Sequence, residues 1–230
     1  MMIVKKLPKI ETDLEIKESF KQLVVDTGRT MIRQHLTVGT WGNCSARDPE
    51  TGLIYITPSG MDYETIQPED IVVLTDRLEI VDGFRVPSVE REMHVAAYNS
   101  RPDVNAVIHT HPLYSTVLGV NRMELPGISE DFVQIVGDKA ICSEYALPGT
   151  SELATNVAKA LGPERNAVLL PNHGALCVGT DMKYALTVVE VTEKTAHIYI
   201  MARSIGEPQL ISMEHILEMQ DFARNRYGQR

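Results

Sequence analysis

The chain has 230 residues, 43% of them hydrophobic, a length that fits one compact domain with a substantial core. Its formal charge of −9, with basic residues scattered rather than gathered into a stripe, argues against binding a nucleic-acid backbone. No apolar run approaches the roughly 20 residues that span a bilayer, and Met1–Glu11 lacks a hydrophobic signal core, so a soluble protein that stays in the cytoplasm is expected.

In chain order, Leu14, Ile16, Phe20, Leu23, Val24, Met31 and Ile32 recur at helical spacing and predict a helix over 14–34, interrupted at Gly28. The small and polar residues of 39–47 read as a loop. A short β-branched strand over 53–57 follows, closed by the turn Pro58-Ser59-Gly60. Strands are predicted over 71–75 and 79–81, then a helix over 90–100 with Ser88 as its N-cap. Asn105–His109 carries a buried-strand signal, and Pro112 suits a first helical turn. The segment 124–131 reads as a loop. Strands at 167–170 and 175–178 precede a long helix over 181–204, capped by Asp181 and striped by Tyr184, Val188, Val191, Ala196 and Ile200. The sum is a mixed α/β domain, a sheet covered by helices.

Cys44, Cys142 and Cys177 lack CxxC spacing and read as reduced, mostly buried thiols. Chemistry is concentrated in the histidines. His109 and His111 stand one residue apart at a strand end, so both side chains leave the same face and their imidazoles can converge on one ion. Taken alone, such a pair also fits two histidines satisfied by backbone carbonyls. His173, in Pro171-Asn172-His173-Gly174 directly after another buried strand, supplies a third nitrogen, and catalytic zinc sites use three protein ligands and one open position. Glu90 and His94, spaced i, i+4, share a helix face, and a carboxylate beside such an ion suits proton transfer next to a carbonyl. The bland reading of Glu90 is an acid stabilised at a helix N-terminus. His35, His197 and His215 carry no motif. Thr40, Gly42, Asn43, Ser59, Gly60 and Ser88 offer amides and hydroxyls in three turns of the kind that hold phosphate, and no dinucleotide or P-loop motif is present.

Together, Gly39-Thr-Trp-Gly-Asn-Cys-Ser-Ala-Arg47, Ile56-Thr-Pro-Ser-Gly60, Pro87-Ser-Val-Glu-Arg-Glu-Met-His94 with Ala106-Val-Ile-His-Thr-His111, and Pro171-Asn-His-Gly174 resemble the class II aldolase and adducin family in order and spacing. The likeness covers 14–204 and leaves a C-terminal helical tail over 205–230. It implies an αβα sandwich with a mixed, largely antiparallel sheet, one catalytic zinc per subunit and a homotetramer with active sites between subunits. It further implies His109, His111 and His173 as zinc ligands, and Glu90 as the carboxylate that both approaches the metal and moves the proton. Asn43, Ser59, Gly60 and Ser88, with Thr40 and Gly42 nearby, match the phosphate-binding turns. Three imidazoles also accept Mn²⁺ or Co²⁺.

Two positions depart from aldolases of the fuculose-phosphate type. Val89 stands where a second serine is common. Glu130 falls where those enzymes carry a catalytic tyrosine and related dehydratases and epimerases carry an acid; Asp131 is its neighbour and rival. The implied reaction is retro-aldol cleavage of a 1-phosphorylated ketose to dihydroxyacetone phosphate and an aldehyde, with Glu90 moving the proton at C3. Glu130, or Tyr227 reaching a neighbouring subunit, would serve the C4 hydroxyl. Enclosure and substrate charge would raise the Glu90 pKa and a metal would lower it, so no net direction is expected. Methylthioribulose-1-phosphate dehydration and pentulose-5-phosphate 4-epimerisation are the alternatives; Glu90 favours cleavage over both. A non-enzymatic, adducin-like assembly module is expected to lose metal ligands, and all three histidines are present.

Overall fold

The computed structural model describes residues 7–226. Its elements in chain order are α1 (Glu18–Arg33), β1 (Asn43–Arg47), β2 (Ile54–Ile56), β3 (Val72–Leu74), β4 (Ile80–Asp82), α2 (Arg91–Ser100), β5 (Ala106–Thr110) and α3 (Leu113–Val120). They continue with β6 (Leu125–Pro126), α4 (Glu130–Ile135), β7 (Lys139–Cys142), α5 (Ser151–Leu161), β8 (Ala167–Leu170), β9 (Gly174–Gly179), α6 (Met182–Ile205) and α7 (Met213–Asn225).

The strands form one sheet in the order β4-β3-β2-β1-β5-β9-β8-β7-β6. β7 and β8 run parallel, and the other neighbours are antiparallel. Strand side chains alternate between two cores. Ala106 and Ile108 of β5, with Ala175 and Cys177 of β9, join a core covered by α1, α3, α4, α6 and α7. Val107, Leu176 and Val178 point the other way, into a core covered by α2 and α5. The expected αβα sandwich around a mixed, largely antiparallel sheet is therefore the fold.

Several local expectations need correction. The helix predicted from Leu14 begins at Glu18, because Lys17 is extended and its amide donates to the Tyr55 hydroxyl at 2.9 Å. Gly28 does not interrupt it. The Tyr63 ring packs where a Cβ would sit, 2.4 Å from the nearest ring carbon, so the glycine is a docking notch. The segment read as a loop over 39–47 contains β1, a central strand bonded to β2 on one side and β5 on the other. Ser88 does not cap α2 in the usual position: Glu90 is the N-cap, and the Ser88 hydroxyl accepts the Glu90 amide at 3.2 Å. The segment 124–131 likewise carries β6 and the start of α4. Asp181 does cap α6, accepting from the Tyr184 amide.

Candidate metal centre

Pairing of β1, β5 and β9 brings the site together. Asn43 lies opposite His109 in register, and His109 lies opposite Leu176. His109 is inside β5 and His111 just beyond its end, while His173 sits in the β8–β9 hairpin. That hairpin is tight: Asn172 takes φ 55°, and a Cβ on Gly174 would lie 2.1 Å from the Thr110 carbonyl oxygen. Asn tolerates the left-handed conformation and Gly the close approach, which accounts for the Asn-His-Gly sequence.

The three imidazoles meet edge to face, with ring centroids 4.6–4.9 Å apart. Nε2 of His109 and Nε2 of His111 are 2.9 Å apart, and one ligand nitrogen from each ring lies within 4.8 Å of the others. Bare lone pairs at that spacing repel, so a proton or a cation belongs among them. The Nδ1–H of His109 donates to the Ala175 carbonyl at 2.9 Å, which leaves Nε2 facing the cluster, the tautomer that a ligating histidine adopts.

Glu90 completes the centre from the N-terminus of α2. It is 6% exposed, with Oε2 3.2 Å from His109 Nε2 and Oε1 3.3 Å from His173 Nε2. Oε1 has no hydrogen-bond partner, an orphaned buried oxygen that a cation would satisfy. Burial would raise the Glu90 pKa, yet His109 above all, with His173 and Asn43, outweighs it and holds the carboxyl well below the ordinary range in the metal-free site. Burial pushes His111 down to about 3 and His173 to about 4, with His109 adding to both, so these rings are neutral and ready to ligate at pH 7. His109 is also penalised by burial, but Glu90 holds it above its usual value. The donor set fits a divalent transition metal.

Two of the turns offered for phosphate are tied to neighbouring segments. An isolated antiparallel bridge between Pro58 and Pro87, with the Ser59 amide donating to Val86, sets the Ser59–Gly60 turn against the Ser88 segment. Gly42 has φ 74°, and a Cβ there would approach the His109 carbonyl oxygen to 2.8 Å. Thr40 is exposed at the head of this turn. The Asn43 side chain bridges Glu90 and His94.

Glu130 lies elsewhere in the chain. It begins α4 and lines a cavity of about 1140 Å³ with Arg101, Asn166 and Tyr184, a cavity that none of the three clustered histidines lines. Asp131 pairs there with Lys194. Tyr227 lies outside the described residues. Cys44 is fully buried, and burial pushes its thiol far up, so it acts as core filling rather than as a nucleophile. The sequence reading overlooked Trp41, whose ring stacks toward His111 with centroids 6.1 Å apart. It also overlooked an apolar wall: Leu113, Val117 and Val120 line a cavity of about 410 Å³ with His111 and His173. Trp41 stood inside the Thr-Trp-Gly-Asn motif, a position from which it could have been found.

A three-histidine centre with a buried carboxylate, built where a mixed sheet meets a helix N-terminus, marks this as an α/β protein equipped to hold a metal. The model of the class II aldolase and adducin N-terminal domain matches residues 22–200, and the chain belongs to that family. It is 38% identical over 211 residues to a 5-deoxy-D-ribulose 1-phosphate aldolase of Bacillus thuringiensis, covering 91% of this chain and 97% of that protein. To an L-fuculose phosphate aldolase of Escherichia coli it is 35% identical, over 80% of this chain and 84% of the other. Among solved structures, an L-fuculose 1-phosphate aldolase superposes with a TM-score of 0.88 at 39% identity, covering 91% of this chain and 98% of that one.

Proposed function

We propose that the chain is a zinc-dependent sugar-phosphate lyase that cleaves a 1-phosphorylated ketose to dihydroxyacetone phosphate and an aldehyde. The observation that carries this reading is the buried Glu90 carboxylate, 3.2–3.3 Å from His109 and His173 with one oxygen unpartnered. His109, His111 and His173, with Glu90, would hold the metal. When bound, it supplies Lewis acidity to the oxygens next to the breaking C3–C4 bond. Glu90 returns a proton to C3 as the aldehyde leaves, and takes it in the reverse direction. The amides and hydroxyls of Gly42, Ser59, Gly60 and Ser88, with Thr40, receive the phosphate. Asn43 orients Glu90.

The apolar wall of Leu113, Val117 and Val120 beside His111 and His173 supports a ketose whose far end is a methyl or thioether group. 5-Deoxyribulose 1-phosphate, L-fuculose 1-phosphate and 5-methylthioribulose 1-phosphate share that feature, and the aldolase names of the relatives point the same way. Glu130 lines a different cavity in its own chain; in a homotetramer with active sites between subunits it would serve a neighbouring subunit's centre. There it, or Tyr227, takes the C4 hydroxyl proton. No described helix is long and apolar enough to cross a membrane, in keeping with work in the cytoplasm. The chain is read as one domain.

Incubation of the zinc-loaded protein with these three phosphates and with ribulose 5-phosphate, with dihydroxyacetone phosphate followed by a coupled assay, tests the reading. Release from the deoxy or methylthio substrates, abolished by chelator, is expected. Water loss or an epimer in place of release would overturn it and move the assignment to dehydratase or epimerase chemistry.

A further inference from the structure

A row of buried polar side chains runs behind the metal centre and ends on Glu90. Its members are Tyr98, Ser45, His94, Asn43 and Glu90, each no more than 6% exposed. At its end, Asn43 Nδ2 donates to Glu90 Oε2 at 2.9 Å. An ionised carboxylate only accepts, so this end of the amide must be the nitrogen. Asn43 Oδ1 then faces His94 Nε2 at 2.5 Å and, being a carbonyl oxygen, requires a proton on that ring nitrogen. The neutral ring therefore offers Nδ1 as an acceptor, and the Ser45 hydroxyl, 2.7 Å away, donates to it. The Tyr98 hydroxyl lies 2.8 Å from that oxygen and donates its single hydrogen to the Ser45 carbonyl at 2.9 Å, which holds the end of the row against β1. From Ser45 onward, each hydrogen in the row points toward Glu90.

We propose that His94 is a positioning residue for the reaction: its ring tautomer fixes the orientation of the Asn43 amide, and the amide fixes the Glu90 carboxylate against the three histidines. This rests on the reading of Glu90 as the proton carrier. The opposite amide orientation sets Oδ1 against the carboxylate and Nδ2 against the Nε2–H, two like pairs among buried groups. Burial, reinforced by the charge on His109, holds His94 down to about 3, so the neutral ring persists through the neutral range. Glu90 depends on this support. Its backbone leans on the Ser88 hydroxyl, its Oε1 has no protein hydrogen bond, and Asn43 is the one neutral side chain that donates to it among the described residues. A merely space-filling residue at position 94 would need none of these alignments.

The test compares His94→Leu, His94→Gln, Asn43→Ala and the His94→Leu/Asn43→Ala double variant, all zinc-loaded. His94→Leu is expected to lower kcat for ketose-phosphate cleavage by about tenfold or more while KM and zinc content stay within about twofold. It should cause no further kcat loss once Asn43 is alanine, because both act through one contact. His94→Gln, which keeps an N–H donor, should recover part of the loss. A crystal structure of His94→Leu should show the Asn43 amide turned or Glu90 displaced from it. Multiplying kcat losses in the double variant, a loss confined to KM or zinc content, or an unmoved Asn43–Glu90 pair would overturn the proposal. Wild-type protein that cleaves no ketose phosphate would sink the proposed function, while the crystal structure would still decide the role of His94. Should His94→Leu fail to fold, Ser45→Ala removes the donor to Nδ1 and is expected to give the same kcat-only pattern at smaller size; an unchanged kcat there counts against the proposal.

Discussion

The rings around Glu90 differ in how they respond to acid, and that difference is measurable. His94 is held at about 3 by burial, whereas an unfolded histidine titrates near 6.5. Between those values the unfolded chain binds a proton that the folded chain refuses, so stability rises with pH across the window and is lost as pH falls from 6.5 toward 3. His111 and His173, lowered in the same direction, add to the slope, and His109, raised by Glu90, offsets part of it. The urea midpoint of chelator-treated protein should therefore fall steadily from pH 7 to pH 5; a flat midpoint would contradict the assignment of buried neutral rings. The histidine cluster was legible in the sequence because His-x-His and Asn-His-Gly each follow a run of buried-strand residues. The bridge that the Asn43 side chain makes was not, because only the position of α2 against β1 brings Glu90 and His94 to its two ends.

At the scale of elements, the hairpin joining β8 and β9 carries the site's tightest tolerance. Gly174 lies against Thr110 and His111 with no room for a Cβ. Gly174→Ala should therefore cost about 1–3 kcal/mol from overpacking and weaken metal retention, because relief comes by parting the end of β5, which leads into His111, from the hairpin that carries His173. Thermal unfolding with parallel metal analysis checks both, and an unchanged metal content would show that the hairpin does not set the ligand geometry. The strands with continuous apolar runs, β5, β8 and β9, were readable within about one residue. β1 was missed because its residues, Asn-Cys-Ser-Ala-Arg, have low strand propensity. Their alternation was nonetheless present: Cys44 and Ala46 enter one core, while Asn43 and Ser45 face the polar row. α5 carries Thr150 as its side-chain cap and a buried stripe of Leu153, Val157 and Leu161, a signal that was there to be used.

For the whole molecule, the histidine cluster and Glu130 line separate cavities of one chain. If neighbouring subunits share the reaction, inactive variants should complement each other. Glu130→Ala and His173→Ala, each impaired alone, are expected to regain cleavage when co-expressed, since some mixed assemblies then contain an intact pair. Light scattering should give four times the 25.6 kDa chain mass. Absence of complementation, with mixed assemblies demonstrated, would place the Glu130 contribution outside the reaction. The fold as a whole was legible because its segments resemble a known family in order and spacing. The relation between subunits was not, because one chain's hydrophobic pattern does not distinguish a covered face from a free one.

The central claim is that Glu90 carries the proton at a metal held by His109, His111 and His173. Replacing Glu90 by glutamine keeps the shape and the Asn43 side of the row but removes the base. The most direct measurement is kcat for dihydroxyacetone phosphate release by Glu90→Gln, taken on protein whose zinc content is determined in the same sample. A fall of about 10²-fold or more with zinc still bound is expected; retention of most of the activity with zinc bound would contradict the account.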